Sequence, residues 1–198
     1  MPPKCRFTRE EIIQAALDLT AEKGVGALTA RGLAQRLGSS AKPIFGLFAN
    51  MEEVQQEVVK AANLRYQEYL RQDMSAGRYP PYKASGMAYI RFAREQKELF
   101  KLLFMRDRTN EDQSAGEELE ALIRLIQQGM GLSREEAYRF HMEMWIYVHG
   151  IATMIATAYL EWDLDFISAA LTDAYQGLRL RFGQTGQTSQ TETKQKKE

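Results

Sequence analysis

Apolar side chains recur along this chain three and four positions apart, and sustained alternation at every second position is absent. The first spacing gathers residues on one face of a helix, whereas alternation would mark a half-buried strand. Ile12, Ala16 and Leu19 form the first stripe. Leu33 with Leu37 and Ile44 with Phe48 follow, and Ile167, Leu171, Ala174 and Leu178 form the last. No Asn-Gly or Asp-Gly pair offers a hairpin turn. Three stretches, Thr8-Arg-Glu-Glu11, Asn50-Met-Glu-Glu53 and Ser133-Arg-Glu-Glu136, set a capping side chain three residues before a glutamate and just ahead of an apolar period. In that arrangement the cap oxygen takes one unpaired N–H and the glutamate reaches back to another. The expected fold class is all-α.

The punctuation divides the chain further. Helices are expected from Thr8 to Lys23, where Gly24 stops the first, and from Thr29 to Gly38. A long helix starts at Asn50, passes Leu70 and is broken by Gly77 and Pro80-Pro81. Helical stretches follow at about Pro81–Gln96, Lys97–Arg106, Glu117–Gly129, Arg134–Trp162 and Asp165–Phe182, with DRTNEDQSAG as a loop. The segment 183–198 has no apolar residue and is expected to be disordered. Met142 to Leu160 is almost free of charge and close to the roughly 20 apolar residues that span a bilayer. It carries Glu143 and His149 and lacks a flanking basic cluster, so a helix buried on every side by protein is expected there, and no membrane span.

Between the second and third stripes lies GSSAKPIFGLF, Gly38 to Phe48, with a proline where a helix begins. Two short helices joined by a tight glycine turn fit a helix-turn-helix, whose second helix enters the major groove of DNA by its N-terminal end. Ser39 or Ser40 would cap that helix. Pro43 falls in its first turn, where its missing N–H costs nothing and its fixed φ suits the helix. Ile44 and Phe48 would anchor the helix, leaving Ser40, Ala41, Lys42 and Phe45 outward.

Here the sequence resembles the DNA-binding domain of the TetR/AcrR family of bacterial repressors. The likeness runs from Phe7 to about Val54 through Thr8, Ile12, Ala15-Ala16, Leu19, Gly24, Leu28-Thr29, Leu33-Ala34, Leu37-Gly38, Ser40, Phe45, Phe48 and Glu52-Glu53-Val54. A shorter stretch, Trp145 to His149-Gly150, is similar to a signature in one branch of that family. The resemblance implies a helix-turn-helix domain at 1–52, a helical ligand-binding and dimerisation domain at 53–182, and a homodimer through the last two helices. Such a dimer would meet a double-stranded, pseudo-palindromic operator and release it on binding a small-molecule effector. It implies DNA contacts at Thr29, Arg31, Ser39, Ser40, Ala41, Lys42, Pro43 and Phe45. Where the family often carries tyrosine, histidine and lysine, this chain has Phe45, Leu47 and Met51. Other donors must then meet phosphates, with Lys4 and Arg6 of the N-terminal arm as candidates beside Thr29, Arg31, Lys42 and the amides at helix starts.

Composition adds limits. Lys and Arg together number 26, as do Asp and Glu, so overall charge selects no partner. Residues 1–46 do carry seven basic groups, Lys4, Arg6, Arg9, Lys23, Arg31, Arg36 and Lys42, against four acidic ones, a net +3. One cysteine, Cys5, fits a reducing cytoplasm, and MPPKCRFTREE offers no secretory signal. Two histidines, His141 and His149, and no phosphate loop or nucleophile motif argue against an enzyme, a bound metal or a cofactor. Aromatic and methionine side chains crowd the middle of the chain, and Phe92, Phe104, Trp145 and His149 are the expected effector contacts. The competing reading is a helical small-molecule carrier or adaptor without specific DNA binding.

Overall fold

The computed structural model describes residues 7–107 and 116–195, the side chains of the last helix only as far as Gly183. Among these residues there are nine α-helices and no strand. They are α1 (Arg9–Lys23), α2 (Ala30–Arg36), α3 (Lys42–Phe45), α4 (Met51–Ser75), α5 (Pro81–Glu95), α6 (Lys97–Phe104), α7 (Glu117–Met130), α8 (Arg134–Ala156) and α9 (Leu164–Gln195). A single 3-10 turn, Val25–Ala27, joins α1 to α2. The all-α expectation holds.

Most helix starts follow the sequence signals. Thr8 and Ser133 complete reciprocal capping boxes with Glu11 and Glu136. Asn50 caps α4 by accepting from the Glu53 amide at 2.9 Å, but Glu53 reaches one residue further back, to the Ala49 amide at 2.7 Å. Two ends differ from expectation. α8 stops at Ala156 rather than near Trp162, because Ala158 turns left-handed (φ 55°) and Tyr159 N–H closes on the Met154 carbonyl at 2.9 Å. Only the six-to-one cap geometry reveals this stop, since no glycine marks it. At the other end α9 continues to Gln195, through most of the segment 183–198 expected to be disordered. That segment contains no proline, so no residue in it lacks the amide a helix needs. The expected loop DRTNEDQSAG falls largely on residues 108–115, outside the described set.

Packing groups the described residues into two compact units, 7–69 with 91–107, and 70–90 with 116–195. The expected boundary at 52/53 thus falls inside α4, within the first unit. That unit is built on Ile12, Ala16, Leu33, Ile44, Val54, Leu99 and Phe100, all fully buried. Tyr66, Phe92 and Phe104 meet edge to face or tilted, with centroids 5.2–6.5 Å apart. α6 lies so close to the end of α1 that a Cβ on Gly24 would come within 2.7 Å of Glu98 Oε2.

The second unit centres on Ile123, Ile126, Ala137, Phe140, Met144 and Phe182. Phe140 is fully buried, with Tyr175 and Phe182 rings at 5.3 and 5.6 Å. Truncating a phenylalanine in such a site costs about 3–5 kcal/mol.

Candidate nucleic-acid interface

The turn between α2 and α3 is a closed helix cap. Gly38 takes φ 59°, Ser39 N–H donates to the Ala34 carbonyl at 3.0 Å and Gly38 N–H to that of Gln35 at 3.1 Å. The first of these bonds requires a left-handed conformation at residue 38, which glycine adopts without the steric cost a Cβ imposes. The chain is thereby re-aimed for α3.

α3 is short, but helical hydrogen bonding extends beyond it, from the Ala41 carbonyl to the Phe48 amide. Neither Ser39 nor Ser40 caps it: Ala41 occupies the cap position and no side chain bonds there. Ala41 is itself right-handed helical (φ −71°, ψ −12°), whereas a capping serine would need extended backbone. Pro43 stands in the first turn as expected. Ile44 and Phe48 face inward, 0% and 2% exposed, and Phe45 is 50% exposed. Lys42 and Gly46 sit four apart on the side opposite that buried pair, and both are exposed. A Cβ on Gly46 would touch only its own turn, at 3.5 Å or more.

α2 supports this surface. Thr29 caps it, accepting from Gly32 N–H at 3.0 Å, and remains exposed, as does Arg31. Gly32 is needed for space, since a Cβ there would lie 2.5 Å from the Ala27 carbonyl oxygen. Arg36 is bound to Glu22 through two contacts, 2.6 and 2.8 Å, which tie α2 to α1. That contact holds the Glu22 carboxyl below the usual carboxylate range.

Arg9 has a part that sequence alone does not suggest. Its guanidinium donates to the Leu47 carbonyl at 3.0 Å and to Glu53 at 2.9 Å, and lies 4.3 Å from the centre of the Phe48 ring. It therefore holds the segment that follows α3 against α1 and α4. The Ala49 amide and then Arg9 keep Glu53 below its ordinary pKa. Of the expected contacts, the structure brings Thr29, Arg31, Ser39, Ser40, Ala41, Lys42, Pro43 and Phe45 onto α2, α3 and the turn between them. Ser40, Lys42 and Phe45 are exposed, and Ser39, Ala41 and Pro43 half-buried. Lys4 and Arg6 lie outside the described residues. Gly46, which is not among the expected contacts, shares the exposed side of Lys42 four residues earlier.

The four expected effector contacts separate into two pairs, one in each unit. Phe92 and Phe104 join the aromatic cluster of the first, where Phe92 is fully buried. Trp145 and His149 stack in the second, 4.7 Å apart and 13° from parallel, and His149 Nδ1 meets the Tyr89 hydroxyl at 2.8 Å. Burial lowers the His149 pKa. His141 pairs with Tyr82 at 3.1 Å, and burial lowers its pKa to about 4. The helix expected to be buried on every side is not so in this chain: Trp145, Ile146 and Tyr147 are 37%, 65% and 44% exposed, because α8 packs only one face on its own unit. Among the described residues no helix is long and apolar enough to cross a membrane, and no three His, Cys, Asp or Glu side chains gather as metal ligands.

Comparison with known families agrees with this geometry. Residues 12–58 match "Bacterial regulatory proteins, tetR family", and residues 82–175 match "Tetracyclin repressor-like, C-terminal domain". No curated protein matches the chain.

Proposed function

We propose that this chain, which belongs to the tetR family of bacterial regulatory proteins and binds DNA as a transcriptional regulator, is a two-fold repressor released from a pseudo-palindromic operator by a small, largely apolar molecule. Family members bind DNA and dimerise. The observation that carries the reading is the exposed side of α3. A buried Ile44–Phe48 edge fixes the segment, and Lys42, Phe45 and Gly46 are left uncovered. Lys42 supplies the charged donor for a base edge or a phosphate, and Thr29 and Arg31 flank it from the start of α2.

Dimerisation is assigned to α8 and α9. Ile146 on α8 and Phe166 and Leu180 on α9 are 65%, 53% and 70% exposed, and monomers rarely leave several large apolar groups uncovered on neighbouring helices. Gly150 leaves room for a facing helix, whereas Ala152 and Ala156 are already covered within the chain. Two such helices from each subunit make a four-helix interface. It would set the two reading segments roughly 34–36 Å apart, one turn of DNA. An effector that prefers the DNA-incompetent dimer weakens operator binding by that same preference. Trp145 and His149, with Phe92 and Phe104, remain the proposed effector contacts.

Selection of bound duplexes from a random pool with the purified chain tests the core of this reading. A palindromic consensus is expected, with binding lost in Lys42→Ala. Binding without sequence preference, or an unchanged affinity in Lys42→Ala, counts against the assignment of this face. Release of the selected duplex by candidate apolar molecules then tests induction.

A further inference from the structure

We infer that Phe45 reads thymine, its ring resting on the C5-methyl group of one thymine in each operator half-site. This rests on the DNA-reading role of α3 argued above and names what that surface recognises. Phe45 is 50% exposed on a segment otherwise anchored by fully packed apolar neighbours. About half of it is covered by its own unit, and the other half presents a large apolar surface to solvent. It flanks the side on which Lys42 and Gly46 are uncovered, and Gly46 brings no side chain that would hold the ring away from a duplex. A phenyl ring can neither donate nor accept a conventional hydrogen bond. Every base edge in the major groove presents hydrogen-bonding groups, and thymine's alone adds a methyl group, at C5 beside its O4 acceptor. Water excluded from between ring and methyl is therefore the means by which Phe45, lying along the groove, would prefer thymine.

The test uses the full chain and the duplex selected from a random pool. Each thymine of the half-site is replaced in turn by deoxyuridine, which keeps every hydrogen-bonding group and removes only the methyl. Burying one methyl group corresponds to roughly fourfold in affinity for one half-site and roughly fifteenfold when both are replaced. The wild-type chain should show this loss at one thymine position, and Phe45→Ala should bind the thymine and deoxyuridine duplexes alike. Phe45→Leu, which keeps an apolar group, should retain part of the discrimination. Thermal melting should change little in Phe45→Leu, which keeps an apolar group over the covered half of the site, so a loss of discrimination there cannot be laid to unfolding.

Deoxyuridine replacement without effect at every position overturns the inference while leaving DNA reading intact. So does undiminished discrimination in Phe45→Ala, as does a Phe45→Ala that weakens thymine and deoxyuridine duplexes equally below wild type in a chain that never distinguished them, the mark of a sugar–phosphate contact. A pool that yields no consensus overturns the reading of α3 itself, and this inference with it.

Discussion

Replacing Gly46 with alanine should move stability and DNA affinity in opposite directions. The residue has right-handed helical angles (φ −79°, ψ −17°), so alanine fits without strain. The nearest atoms to an added Cβ are the Pro43 and Lys42 carbonyl oxygens at 3.5 and 3.6 Å, ordinary contacts within the same turn. Alanine in a helix interior gains about 1 kcal/mol over glycine. At the end of a helix this short, about half of that is expected, a rise of roughly 1–2 °C in melting temperature. On the proposed reading the same methyl would stand on the DNA-facing side, one turn beyond Lys42. Forcing one such group into a close-packed contact costs typically 1–3 kcal/mol, or about fivefold to a hundredfold in affinity per half-site. Calorimetric melting and a fluorescence anisotropy titration on the selected duplex measure the two effects. An unchanged or improved affinity in a variant that melts higher would refute the claim that this side of α3 meets DNA, since no loss of fold could then be blamed. A lower melting temperature would instead show that the turn is not free to accept a Cβ.

Three further outcomes follow from contacts elsewhere. Arg9→Ala should weaken operator binding yet leave the slope of log affinity against log salt unchanged, because Arg9 is engaged by Leu47, Glu53 and Phe48; a phosphate contact would lower that slope by about 1. Ala158→Gly should raise stability by about 0.5–1 kcal/mol in a denaturant titration, as it relieves the left-handed residue that ends α8. His141, buried beside Tyr82, has a folded pKa of about 4 against an ordinary 6.5, so the unfolded chain binds its proton first. Stability from this group is complete above about pH 6.5 and falls as pH drops towards 4, by up to about 3 kcal/mol. Tyr82 stays neutral throughout, since burial raises its pKa. His141→Phe should flatten stability across that interval, and an identical pH profile in both proteins would remove His141 from the explanation.

The helices were legible because their causes are local. Thr8 and Ser133 act within four residues, and the spacing of Ile12, Ala16 and Leu19 states its own buried side. The turn at Gly38 and the place of Pro43 were legible for the same reason. The cap of α3 departs from the expected serine because a capping serine takes extended backbone, whereas Ala41 holds that position in a right-handed conformation. The end of α8 was hidden because an alanine took a conformation that normally announces itself by glycine. Arg9 could not be read at all: its partners Leu47 and Glu53 are 38 and 44 residues away, and periodicity carries no information over that distance. The separation of Phe92 and Phe104 from Trp145 and His149 is likewise a matter of which distant segments pack together, and residue type alone made the four look alike.

Arg9 also changes what the charge of this surface means. The sequence offers seven basic groups before residue 47, but the structure commits Arg9 to Glu53 and Arg36 to Glu22, in contacts that build the unit. Among the described residues, Lys23, Arg31 and Lys42 are the basic groups of that stretch that remain exposed and outside any ion pair. With so few charges to spend on phosphates, and with Phe45, Leu47 and Met51 where hydrogen-bonding side chains could stand, attraction through counterion release is a small share of what the described surface can supply. On the proposed reading, what the described surface adds to specific binding is close approach: a glycine that lets the backbone near the groove, a ring that meets a methyl group, and an arginine that keeps both in register. Close approach tolerates a misplaced ångström poorly, which is why Arg9 and Gly46 should matter to operator binding as much as any residue that touches a base.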